Sequence, residues 1–359
     1  MLCPHDSHRK DPRRAQSQIK IKNPGLPCII DSPVSGKMAM KKTPQKLSNP
    51  FANSDTNKRY YTFEYYCRRK YGGRCVKIPL DAGFTCPNID GRCGTGGCIY
   101  CSPRGSGDSI PSFSDVREQY TAGRAALASK WDVSRTIPYF QAHTNTYAPI
   151  EVLRHLFYDA LSFDGAVGLD IATRADCLPD DVTSLLAEIA EKTDLTVELG
   201  LQSSDDRTAK LIGRGHDFAA FCDGYRRLRN SSPRISICVH IILGLPGESD
   251  EMMLRTVRDV AALRPDMVKL HLLHVLADTR LSEMYRSGNY QPLTQSHYVD
   301  LVVSSLELLP PDTVIARLTG DGMPDTLEAP LWSRRKIAVI NDIDKLMFKK
   351  NTWQGRLFE

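Results

Sequence analysis

The sequence predicts an α/β fold, an incomplete (β/α)6 barrel filling most of the chain. Three observations predict it. Strand-like and helix-like segments alternate over most of the chain, which argues for βα units and a parallel sheet. Within the strands, apolar residues take one parity and polar residues the other, so one sheet face is covered and the other is polar. The length of 359 residues exceeds an average domain but suits one α/β barrel with additions at its ends.

Residues 1–56 are rich in Pro, Ser, Asn, Lys and Arg and show no sustained apolar period, so they are expected to form a disordered basic tail. The formal charge of the chain is +5, but residues 1–58 alone carry +7, leaving −2 for the remainder. Such a tail is either a phosphate-contacting arm or a solvated extension. Met38 or Met40 is expected to be the true start. The barrel is expected over 57–312. Residues 313–359 are expected to form a C-terminal extension over the barrel mouth.

A helix is expected from Arg59 to Lys70 and a strand from Cys75 to Leu80, with Gly72 and Gly73 between them. Further strands are expected at 135–142, 166–173, 195–202, 234–243, 266–275 and 313–318. Helices are expected at 113–131, 149–162, 180–192, 217–230, 250–264 and 297–309. The 149–162 segment shows the helical period most clearly: Ile150, Leu153, Leu156, Phe157, Ala160 and Leu161 share one face. Asp180 and Ser249 have the chemistry of N-caps.

The strand parity has a consequence. Ile235, Ile237, Val239, Ile241 and Leu243 oppose Ser236, Cys238, His240 and Ile242; Val268, Leu270 and Leu272 oppose Lys269 and His271. Thr196, Glu198 and Gln202 share the polar parity of their strand, and Asp170 and Arg174 that of theirs. Helices cover the outside of a barrel, so the polar parity should line the inside. A filled barrel has branched aliphatics there. A polar lining implies a cavity; an open sheet with one wet face is the alternative.

Cys86 to Cys101 reads C-P-N-I-D-G-R-C-G-T-G-G-C-I-Y-C. Four thiols this close usually hold a metal or a cluster. Three readings stand: a structural zinc site of all four cysteines, buried free thiols or disulfides, or an iron–sulfur cluster held by Cys86, Cys98 and Cys101 with one iron left open. Eleven cysteines in a chain this long and ordinary in composition suit a reducing cytoplasm better than a secreted disulfide scaffold. No apolar run approaches a membrane span, and no signal-peptide pattern opens the chain.

The stretch K-I-P-L-D-A-G-F-T-C-P-N-I-D-G…G-G-C-I-Y-C, with the T-W-Q-G ending, resembles the radical-SAM enzymes of the YhcC/YtqA type, related to the radical-SAM domain of the Elongator catalytic subunit. The resemblance runs from about Asn57 to the C-terminus. The family spacing C-x11-C-x2-C falls on Cys86, Cys98 and Cys101; Cys93 departs from it.

The resemblance implies a radical-SAM barrel. It also implies a [4Fe-4S] cluster on the three cysteines and S-adenosylmethionine (S-adenosyl-L-methionine, SAM) at the open iron, cleaved reductively to a 5′-deoxyadenosyl radical. Tyr100 is expected near adenine. Glu198 and Gln202 are expected at the ribose and amino group, with a plain ion pair of Glu198 to Arg174 or Lys269 as the alternative. Gly244, in G-L-P-G-E, is expected to set backbone against adenine, and Arg214 to face the SAM carboxylate. Thr173, Arg174, Gln141, Asn145 and His271 are expected around the same mouth. The kinship to Elongator suggests tRNA as partner and wobble uridine as target, with a reductant such as flavodoxin or ferredoxin. A radical-SAM enzyme acting on a small metabolite or protein, and a non-catalytic zinc-binding module, are the other readings.

Overall fold

The computed structural model describes residues 49–359 except 106, 108, 109, 111–114, 321 and 323. Most of the expected tail and the first residues of the expected 113–131 helix therefore lie outside the described residues.

In chain order the elements are α1 (Phe63–Tyr71), β1 (Val76–Leu80), α2 (Val116–Ala128), β2 (Thr136–Phe140), α3 (Ile150–Leu161), β3 (Gly168–Thr173), α4 (Asp180–Ala190) and β4 (Asp194–Gln202). Next come α5 (Asp206–Leu211), α6 (Phe218–Ser231), β5 (Ser236–Leu243), α7 (Asp250–Ala262), β6 (Met267–Leu272) and β7 (Val275–Leu276). The chain ends with α8 (Arg280–Arg286), α9 (Gln295–Leu308), β8 (Val314–Arg317), β9 (Leu327–Ala329) and α10 (Lys336–Lys349). Seven strands form one parallel sheet in the order β1-β2-β3-β4-β5-β6-β8. It curls into a half-barrel with helices outside. A short antiparallel pair, β7 with β9, stands apart from it.

The strand parity explains the layers. Val197, Leu199 and Leu201 of β4 and Ile237, Val239, Ile241 and Leu243 of β5 are buried in the outer core with Leu185, Leu186, Ile189, Phe221, Leu228 and Val257 from the helices. On α3, Leu153, Phe157 and Ala160 are fully buried, and Phe157 packs its ring 5.5 Å from that of Phe140 on β2. Each fully buried Leu or Phe of this shell stabilises the fold by roughly 1.5–3 kcal/mol.

The helix starts follow capping chemistry. Ser249 caps α7 by accepting from the Met252 N–H, as its sequence position predicts. Asp180 does not cap α4: it is the first helical residue, and Pro179 takes the cap position, so the carboxylate acts on the helix dipole instead. Thr62 caps α1, so that helix starts four residues after Arg59.

Two corrections concern the C-terminal region. The boundary expected at 312/313 cuts the sheet, because Val314–Arg317 pairs with β6 as the seventh strand. The T-W-Q-G ending does not cover the mouth. Gln354 accepts from the Tyr61 N–H at 2.9 Å and donates to the carbonyls of Pro310 and Thr313 at 2.6 and 2.8 Å, ahead of the start of β8 and hence at the opposite end of the parallel strands. The expected strand 266–275 divides into β6 and β7.

Candidate active site

Two glycine-dependent contacts place the cysteine loop. A Cβ on Gly215 would lie 2.1 Å from Asn88 Oδ1, so only glycine lets the loop approach the G-R-G turn between α5 and α6. On the far side, a Cβ on Gly224 would lie 2.0 Å from the Ala175 carbonyl, so α6 packs directly on the turn that presents Arg174. Across the first contact, the Asn88 amide donates to the carbonyls of Gly213 and Arg214 at 2.9 and 2.8 Å and lies 3.5 Å from Cys98 Sγ.

Cys86, Cys98 and Cys101 line one cavity of about 290 Å³ with Tyr100, Thr173, Arg174, Gln202 and Arg214. A hydrogen bond from the Cys101 thiol, helped by the Arg214 charge, holds Cys98 down to about 5 against its burial. The same bond and burial push Cys101 up. Arg174 bonds Asp176 at 2.7 Å and the Arg214 carbonyl at 2.8 Å, and its Nη1 lies 3.9 Å from Cys86 Sγ. Cys93 faces elsewhere, lining a second cavity with Arg92, Tyr147 and Cys177. The two-cavity arrangement disfavours a four-cysteine zinc site.

The donor set fits an iron–sulfur cluster. Three thiols converge on one cavity, two guanidinium groups stand beside them, and the buried Arg214 Nε has no hydrogen-bond partner among the described residues. An anionic cluster with a bound amino acid carboxylate supplies the charge that such a corner lacks.

Deeper in the barrel the polar parity meets. Glu198, fully buried, accepts from Lys77 at 2.8 Å, from Tyr139 at 2.6 Å and from Lys269, and lies 2.8 Å from His240 Nε2. Lys77 also pairs with Asp170. Burial raises the Glu198 carboxyl, but the Lys269 and Lys77 charges outweigh it and hold it well below the usual carboxylate range. Burial and then the Lys269 charge hold His240 at about 4, and burial followed by the His240 charge holds His271 well below its ordinary value. Both rings are therefore neutral near pH 7, their centroids 5.1 Å apart. Glu198, Cys238 and His240 offer one donor atom each within 4.8 Å. The two lysines already bonded to that carboxylate repel a dication there.

The residues expected from sequence sort as follows. Tyr100, Thr173, Arg174, Gln202, Arg214, Gln141, Glu198, Lys269 and His271 all line the cavity. Gln202 ends β4 at φ +76°. The Glu198–Lys269 ion pair weighed from sequence is present, and Arg174 instead pairs with Asp176. Gly244 is not in the lining: its φ of +91° turns the chain into α7, and its carbonyl accepts from Tyr290 at 2.8 Å. Asn145 is buried and braces backbone, donating to the Ala142 and Ala172 carbonyls at 3.0 and 2.9 Å. Sequence reasoning missed Lys77, Tyr139 and Arg317. The parity argument applied to β1 and β2 would have found Lys77 and Tyr139; Arg317 shares the parity of outward Ile315 and turns inward only through a register shift in β8, which alternation does not announce.

Comparison with known proteins places this geometry. Residues 89–260 match the Radical SAM superfamily, and 265–349 match the Radical_SAM C-terminal domain. The chain is 44% identical over 313 residues to the uncharacterized protein YtqA of Bacillus subtilis, covering 87% of this chain and 97% of that protein. It is 33% identical over 304 residues to protein YhcC of Escherichia coli, covering 84% and 93%. It is 30% identical over 168 residues to Elongator complex protein 3 of Mus musculus, covering 46% and 30%. Among solved structures, the archaeal Methanocaldococcus infernus Elp3 with an N-terminal deletion has a similar fold, with TM-score 0.59, 19% identity, 78% of this chain and 64% of that one. The fold and thiol site are those of a radical-SAM enzyme. The chain belongs to the Radical SAM superfamily and, within it, to the YhcC/YtqA type.

Enzymes of this superfamily use a [4Fe-4S] cluster and SAM and need a reductant. Cys86, Cys98 and Cys101 would hold the cluster, which supplies the one-electron reduction that cleaves SAM. The protein's part is to position and seclude. Arg174 and Arg214 set positive charge beside the thiols, and the polar inner wall offers hydrogen bonds beyond them. Among the described residues, no helix is long and apolar enough to cross a membrane.

Proposed function

We propose that this enzyme modifies a side chain on the wobble uridine of tRNA. The observation that carries the reading is the 30% identity with Elongator complex protein 3 over 168 residues. The inner wall is compatible with it: Gln141, His240, His271, Lys269 and Arg317 surround a cavity whose polar groups suit a uracil edge. Tyr100, Thr173, Gln202 and Arg214, near the thiols, are proposed SAM contacts, with Glu198 and His271 deeper. Flavodoxin or ferredoxin is the proposed reductant, and the cytoplasm the proposed compartment.

The test is anaerobic. Reconstituted, reduced enzyme is given SAM with and without tRNA from a strain lacking the gene. Release of 5′-deoxyadenosine that rises with tRNA, together with a mass change at the wobble nucleoside, is expected. The Cys98→Ala protein should produce neither. SAM cleavage that no tRNA alters would point to a small metabolite or a protein as substrate.

A further inference from the structure

The half-barrel does not close: β1 and β8 are its two edges, and among the described residues they share no strand pairing. A cavity of about 920 Å³ opens between them, larger than the one at the thiols. It is continuous with the inner cavity, since Gly105, Tyr139, Gln141, Lys269 and Arg317 line both.

Its chemistry is one-sided. Arg74, Lys77, Lys269, Arg317 and Arg334 line it, with no Asp or Glu among the described lining residues. Lys77 and Lys269 are matched by Asp170 and Glu198 inside the barrel, whereas the Arg74–Glu64 pair is solvent-exposed and weak, so a phosphate can take its place. Among the described residues, Arg317 and Arg334 have no carboxylate partner; Arg334 is exposed and bonds the Pro324 carbonyl at 2.6 Å. At the outer rim Trp131 is 46% exposed, with the Arg74 guanidinium 3.9 Å from its ring centroid. A cationic channel carrying an exposed aromatic platform is the arrangement that holds single-stranded nucleic acid, with phosphates on the cations and a base on the ring. The opening also extends well beyond the cavity that a small substrate would fill.

We propose that this lateral opening is the docking surface for a single-stranded RNA loop. One nucleobase stacks on Trp131 and neighbouring phosphates sit on Arg74 and Arg334, which aims the target nucleotide past Arg317 into the inner cavity. This rests on the tRNA reading above and specifies where the RNA enters.

The experiment uses the full-length, cluster-reconstituted protein and a fluorescein-labelled anticodon stem-loop RNA, followed by anisotropy across about 50–200 mM salt. Trp131→Ala should weaken binding about tenfold with the salt slope unchanged. The double variant Arg74→Gln with Arg334→Gln should lower the slope by about two, one for each phosphate deprived of its cation, and Arg334→Lys should keep it. Iron content and cluster absorbance equal to wild type establish that the variants are folded. Wild-type binding that ignores salt, or variants that bind as wild type does, would overturn the proposal. Modification of tRNA is followed in parallel. Variants that modify tRNA at the wild-type rate would sink the docking surface alone. Salt-dependent binding that the variants weaken as expected, but with no nucleoside changed in any tRNA, would support the surface and sink only the wobble-uridine reading.

Discussion

The Asn88 side-chain amide lies 3.5 Å from the Cys98 sulfur and also holds the carbonyls of Gly213 and Arg214, so one side chain ties the cysteine loop to the turn that carries Arg214. Asn88 is 2% exposed, and its removal takes a donor from the Gly213 carbonyl and leaves the Arg214 carbonyl with Arg174 as its side-chain donor. Asn88→Ala should cost about 1–3 kcal/mol in urea unfolding and lower the iron retained after anaerobic purification. Unchanged stability and iron would mean that the loop is held by other contacts.

The placement of the thiols separates them into two groups. Cys86→Ala, Cys98→Ala and Cys101→Ala should each abolish cluster binding, whereas Cys93→Ala, whose thiol lines a different cavity, should not. Iron and sulfide analysis checks this. Equal cluster loss in Cys93→Ala and Cys98→Ala would overturn the ligand assignment.

Glu198 is the hub of the inner charges. Glu198→Ala leaves buried Lys269 without its carboxylate, while Lys77 keeps Asp170, and breaking a buried pair in this way costs about 3–5 kcal/mol. Urea unfolding of the variant should show that loss. A loss below about 1 kcal/mol would mean that water enters the cavity and solvates the lysines.

Acid should destabilise the fold through its buried histidines. Burial and the Lys269 charge hold His240 at about 4, and burial and the Arg214 charge hold His216 at about 4, both below the ordinary 6.5. The unfolded chain therefore binds protons that the native state refuses. This contribution is fully present above about pH 6.5 and is lost as the pH falls toward 4. Unfolding midpoints measured across that window should decline less steeply in His240→Gln and His216→Gln than in wild type. Slopes equal to wild type in both variants would refute the assignment.

Much of this site was legible before any fold was drawn. The spacing from Cys86 to Cys101 depends on chain chemistry and neighbouring glycines, which sequence displays directly. The inner face of β4, β5 and β6 followed from period-two alternation, because a covered parallel sheet sorts apolar from polar by parity. At Gly244 the motif shows that a turn exists, while the direction in which its backbone faces depends on packing against Tyr290 and Leu293. The T-W-Q-G ending was misplaced for the same reason: the amide of Gln354 is satisfied by backbone from two distant segments, which no local pattern announces.

By itself, then, the sequence determined the local quantities: the parity of the regular strands, the spacing of Cys86, Cys98 and Cys101, and the alternation that builds a parallel sheet. Only the tertiary structure decided which charges share a cavity. Lys77, Glu198 and Lys269 lie on three strands far apart in the chain, and their pairing arises from the curl of the sheet. Contact energies between such groups depend on distance and burial, which the fold sets and the order of residues does not display.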